Sequence, residues 1–240
     1  MVKKIFLLVS ILGFGVMLCT SVVQADTITW GFNGEFSGGT APIGDPLIEP
    51  WLTATIEDVV GGVNLTMAAT NLSGIENVVG WYFNLSDDFF SYEERLNPQG
   101  KVVGGTWVTT VGAPTQVSNL DIGTFTSPTF SIGMNAFKAD GDGYYDILFA
   151  FAPGNSGDAF DQGDSVTFFF AGLAAEDFRE LSTDSDGVGP FYSAAHVQNT
   201  GTDGSGSGWV APVPEPATML LLGFGMIGLA GLGRRKFFKM

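Results

Sequence analysis

The sequence predicts an all-β body, a β-sandwich or jelly roll, set between an N-terminal signal peptide and a single C-terminal transmembrane helix. Three observations carry the body's fold class. Gly (34) and Phe (21) are abundant while charged residues make up only 15% of the 240 residues, a composition of strands and tight turns rather than helix bundles. Short β-rich runs recur along the chain, several with a period of two. Gly and Pro punctuate the gaps between them, as at Gly61-Gly62, Pro98, Pro114, Pro128 and Pro153.

In chain order the predicted strands are DTITWGF, WLTATIEDVV, GVNLTMAAT, NVVGWYFNL, GTWVTTV, YDILFAF and DSVTFFFAG. The third shows the logic most directly. Val63, Leu65, Met67 and Ala69 alternate with Asn64, Thr66 and Ala68, which turns one apolar face inward. Only LAAEDFREL offers a helical turn, and no internal repeat suggests a solenoid or propeller.

The N-terminus has the layout of a secretory signal: Lys3 and Lys4, an apolar run from Ile5 to Leu18, then SVVQAD. Val23 and Ala25 supply side chains that a signal peptidase accepts, so residues 1–25 are read as the signal peptide, cut after Ala25. A lipoprotein alternative rests on Cys19, but the bulky Leu18 precedes it. Cys19 is the only cysteine, so a chain cut after Ala25 has no disulfide, thiol chemistry or cysteine-zinc site, and its core must stabilise it alone. Residues 26–198 are assigned to the body and 199–213 to a flexible Gly/Ser linker, on the strength of NTGTDGSGSG.

Between Asp26 and Val213 there are 24 acidic residues against 4 basic ones, a net charge of minus 20. Such a surface repels phosphates, which excludes nucleic acid as a partner. Divalent cations and neutral polysaccharides remain compatible with it.

The most pointed stretch of the body is KADGDGYYDILFAF, residues 138–151. Calcium takes six to eight oxygen ligands, and carboxylates at alternate positions of a tight loop can turn toward one centre. Asp140, Asp142 and Asp146 are the candidate calcium ligands, with the Tyr144 carbonyl as a fourth. The loop resembles the nine-residue calcium loops of integrin-type and related bacterial repeats, although Lys138 stands where that pattern has its first acidic residue. A missing ligand would then come from Asp158, Asp161 or Asp164, and the competing reading is a plain turn launching a strand. His196, the only histidine, has no G-x-S-x-G elbow to serve and no cysteines to share a zinc with. With so many acidic residues no glycosidase-like pair stands out, so no catalytic residue is assigned and the body is read as non-enzymatic. Trp51, Trp81, Tyr82, Trp107 and Trp209 lie mostly in strand-like runs, where core packing is expected over sugar stacking.

The chain closes on VPEPATMLLLGFGMIGLAGLGRRKF. The run 217–233, 17 residues, would span about 26 Å as a helix against a hydrocarbon core of about 30 Å. A buried helix would show a polar face, yet Thr218 is the only polar side chain between Pro216 and Arg234. Arg234, Arg235, Lys236 and Lys239 would stay cytoplasmic by the positive-inside rule. A permanent anchor explains the run and its basic stop but has no use for Pro214-Glu215-Pro216.

With that triplet, residues 214–240 resemble the C-terminal sorting signal of PEP-CTERM proteins. The resemblance implies recognition of Pro214, Glu215, Pro216 and the Arg234-Arg235 end by an exosortase of Gram-negative bacteria, a transient stay in the inner membrane, cleavage near the triplet and delivery to the cell surface or extracellular matrix. Family members are commonly associated with exopolysaccharide and biofilm. The expected role is structural or adhesive, with a carbohydrate-binding module as the alternative and a polysaccharide-acting hydrolase behind it.

Overall fold

The computed structural model describes residues 25–96, 102–120, 125–154, 158–183 and 187–213. Thirteen strands form among them. They are β1 (Thr27–Ser37), β2 (Leu52–Val59), β3 (Gly62–Ala69), β4 (Asn77–Phe83), β5 (Phe90–Leu96), β6 (Val102–Thr109), β7 (Thr115–Leu120), β8 (Thr129–Lys138), β9 (Tyr144–Ala150), β10 (Phe160–Asp161), β11 (Ser165–Ala171), β12 (Ser193–Thr200) and β13 (Gly206–Pro212). The fold is all-β. Two 3₁₀ turns, Asp87–Phe89 and Ala175–Phe178, are the only helical pieces among the described residues, the second falling within LAAEDFREL.

Eleven strands form one antiparallel sheet in the order β7-β11-β3-β2-β1-β13-β12-β4-β9-β8, with β10 added beside β4, while β5 and β6 make a separate hairpin. The expected two-sheet sandwich or jelly roll is thus replaced by one continuous sheet that curls over on itself. Its far ends meet through aromatic contacts: Phe149 of β9 lies 4.8 Å from Phe168 of β11, and Phe130 of β8 lies 5.8 Å from Phe170. Nearer the middle, Trp81 of β4 stands edge-on to Phe32 of β1 at 5.0 Å. Curling buries the inward faces of β1, β2, β3, β4, β9, β11 and β12, and this is where the alternation read from sequence is spent. Val63, Leu65, Met67 and Ala69 are all buried, and the residues between them are not.

The segment 199–213 departs from the sequence reading. It is no linker: β13 lies in the middle of the sheet, between β1 and β12. Its glycines read as flexibility, but they permit close approach of neighbouring backbone. A Cβ at Gly208 would meet the Thr40 carbonyl at 2.5 Å, and one at Gly38 would meet the Ser207 carbonyl at 2.7 Å. Trp209 and Val210 are buried on opposite faces, Trp209 against Phe36 and Tyr82 and Val210 in the main core. Both faces being covered, the strand carries no alternating pattern to detect.

No helix among the described residues is long and apolar enough to cross a membrane. The helix predicted over 217–233 lies outside the described residues, as do residues 1–24 and Pro214, Glu215, Pro216, Arg234 and Arg235.

Candidate functional site

The acidic loop before β9 does not assemble as a calcium cage. Asp140 is exposed, whereas Asp142 and Asp146 are buried. Asp142 Oδ2 accepts the Tyr145 hydroxyl at 2.5 Å, and burial beside that carboxylate pushes the Tyr145 phenol far above its ordinary range. Asp146 points elsewhere: its two oxygens accept the backbone N–H groups of Leu85 at 3.0 Å and Asn135 at 2.7 Å. The Tyr144 carbonyl accepts the Thr183 N–H at 3.2 Å.

Each proposed ligand but Asp140 is therefore engaged in holding the fold. Among the described residues no three His, Cys, Asp or Glu side chains converge on a point. Asp142 Oδ1 is left without a partner among those residues, but one free acceptor is far short of the six to eight oxygens calcium requires. The calcium assignment to Asp140, Asp142, Tyr144 and Asp146 is thereby corrected. The i, i+2 spacing was real. A bulge in β8 between Ile132 and Phe137, with Asn135 at φ 48°, turned Asp146 toward backbone donors instead.

Asp146 is one of a set. Glu76, also buried, accepts the N–H groups of Ile43 and Ser73, each at 2.8 Å, and fastens the loop after β1 to the loop before β4. Buried Asp164 accepts the Asp161 N–H at 2.9 Å. Burial raises the carboxyl groups of Glu76 and Asp146 above the usual range, and their backbone donors offset part of that. Replacing Asp146 with alanine strands two backbone donors, with an expected loss of roughly 2–4 kcal/mol. Denaturant unfolding measures that loss, and added calcium is expected to leave the wild-type melting temperature unchanged; a calcium-dependent rise would restore the cage.

Most of the aromatic candidates are likewise committed to packing, while the side chain of Trp107 lies outside the described residues. Trp51, Trp81 and Trp209 are buried, as is Trp30, which was not singled out from sequence. Trp51 Nε1 donates to the Gly44 carbonyl at 2.5 Å. His196 on β12 stacks on Trp209 at 4.6 Å with its ring nearly parallel, and burial lowers its pKa while nearby Asp140 opposes the shift. These tryptophans do not line up as an exposed platform.

The remaining site is the place where the chain leaves the sheet. β13 ends at Pro212, paired with Phe32. Val213 follows, its N–H donating to Asn33 Oδ1 at 3.2 Å, and the next residue is Pro214. The family model of the PEP-CTERM protein-sorting motif matches residues 212–236. The chain carries a PEP-CTERM sorting motif. That motif routes the protein into export and exosortase processing through a transient membrane-anchored state. Its match begins on Pro212, so the PEP-CTERM signal and the folded body share the last residue of β13. No curated protein and no solved structure matches the chain. Sequence reasoning found the triplet but missed how near it lies to the sheet, because the glycines upstream read as a spacer.

Proposed function

We propose that the chain loses residues 1–25 by cleavage after Ala25, is sorted through its PEP-CTERM signal, and then acts at the cell surface or in the extracellular matrix as a non-enzymatic structural or adhesive component of exopolysaccharide or biofilm. The observation that carries the reading for the body is how its chemically capable groups are deployed. Buried carboxylates of Glu76, Asp146 and Asp164 accept backbone N–H groups, and Trp30, Trp51, Trp81 and Trp209 are buried in packing. Such groups hold a shape; the exposed carboxylates around them give a soluble, strongly anionic surface.

The N-terminus supports cleavage after Ala25. Asp26 opens the body with its backbone nitrogen 3.1 Å from Asp58 Oδ2. Cleavage there makes that nitrogen an ammonium, and the contact becomes an ion pair fixing the start of β1.

A second reading, carbohydrate binding, is favoured by a groove of about 370 Å³ beside β1, within the usual range for small-ligand sites. Tyr192, stacked on Trp30 at 5.6 Å, lines it with Thr29, Asn33 and Thr53, an aromatic face among hydroxyl and amide groups.

One experiment in cells tests the sorting. With Pro214, Glu215 and Pro216 all changed to alanine, an uncut precursor is expected to accumulate in the membrane fraction, while the wild type reaches the surface at reduced mass. Unchanged mass and destination would overturn the reading. The body's role is tested by co-sedimentation of residues 26–213 with exopolysaccharide from the same cells. Binding is expected for the wild type, binding lost in Tyr192→Ala favours the carbohydrate module, and no binding sinks both.

A further inference from the structure

We propose that the folded body itself limits the access of the processing enzyme to the sorting triplet, because the sheet holds the chain to within one residue of it. This rests on the sorting reading above and adds what this particular body does to its own signal. A signal on a long tether is reached without regard to the domain behind it. Here there is no tether: β13 runs to Pro212, and Val213 is held in two ways. Its N–H is bound by Asn33, and its side chain lies so close over the bare backbone of Gly34 that a Cβ there would meet Val213 Cγ2 at 2.1 Å.

Beyond Val213 only Pro214, Glu215 and Pro216 precede the apolar run at Ala217. An extended chain advances at most about 3.3–3.6 Å per residue, so the four steps from Val213 to Ala217 cover no more than roughly 14 Å. An enzyme that grips the chain on the amino-terminal side of its cut therefore meets a folded sheet. It must accommodate that sheet or wait for the end of β13 to come away.

The proline spacing keeps the opposite failure from occurring. Past Pro212, the next partner for the chain would be the stretch Thr27–Gly31 of β1, which pairs β2 on one side and no strand among the described residues on the other. Prolines at 212, 214 and 216 remove three of the backbone N–H donors that a continued ladder would draw on. The sheet thus grips the chain up to Val213, the residue before the triplet. Pro212 ends the structural element and opens the sorting motif at once.

The test uses the full chain in the cells that process it, with pulse-chase measurement of precursor conversion. Insertion of Gly-Gly-Ser-Gly-Gly-Ser between Val213 and Pro214 is expected to speed conversion several-fold. Asn33→Ala, which removes the side-chain hold on Val213, is expected to act in the same direction but less strongly, with the melting temperature of the body unchanged. Gly34→Ala, which displaces the Val213 side chain, should match it. Conversion unchanged or slowed by the insertion overturns the proposal. The triple-alanine triplet variant separates the two levels. If it stays uncut while the insertion has no effect, this inference alone fails, and if it is cut normally the sorting reading beneath it fails as well.

Discussion

A chain ending at Ser205 is expected not to fold, whereas one ending at Val213 is expected to melt cooperatively. The difference is β13. Its removal exposes the facing edges of β1 and β12, which pair with it along opposite sides, and takes Trp209, Val210 and Ala211 out of the interior. Burying Trp209 and Val210 stabilises by about 1.5–3 kcal/mol each, and every ladder bond to the two neighbours adds about 0.5–1.5 kcal/mol. Together these approach the whole net stability of an ordinary domain, about 5–15 kcal/mol. The readout is near-ultraviolet circular dichroism with thermal melting of the two truncated proteins. Equal melting temperatures would mean that residues 206–213 are the spacer their glycines suggest.

Phe149→Ala is expected to cost about 3–5 kcal/mol, the usual range for emptying a fully buried phenylalanine site. Phe149 is where the curl closes. It touches Phe168 and Phe170 of β11, Phe130 of β8 and Phe83 of β4, so its ring joins strands that lie far apart in the sheet order. Deleting it leaves a cavity that rigid rings on all sides cannot fill by relaxing. Denaturant midpoints give the magnitude, and Phe149→Leu, which leaves less empty volume, should lose clearly less. A loss below about 1 kcal/mol would show that the two ends of the sheet do not depend on this contact.

Most strands could be read from the chain because they are half-buried, and half-burial writes itself as alternation. β2, β3 and β11 are the clear cases, with Ile56, Leu65 and Phe168 inward and Glu57, Thr66 and Thr167 between them. β13 could not be read that way, since covering on both faces erases alternation and its glycines serve close backbone approach, which in sequence is indistinguishable from flexibility. β8 was missed for a related reason: its bulge breaks the period near Asn135. The acidic loop was misread at the level of direction. Spacing can say that Asp142 and Asp146 are near each other along the chain, but which way each carboxylate turns depends on Tyr145 for one and on Leu85 and Asn135 for the other.

From the sequence alone came the all-β class, the acidic character of the body and the PEP-CTERM signal, because composition, period and a short linear motif are properties of consecutive residues. The family match at 212–236 rests on the same kind of information. The curl of a single sheet, the use of buried carboxylates as backbone acceptors and the place of β13 at its centre were decided by contacts between residues distant in the chain. So was the relation between body and signal: whether a Gly-rich segment is a tether or a strand depends on what lies against it. Here Thr40 and Gly38 lie close enough to Gly208 and Ser207 that only a bare backbone fits.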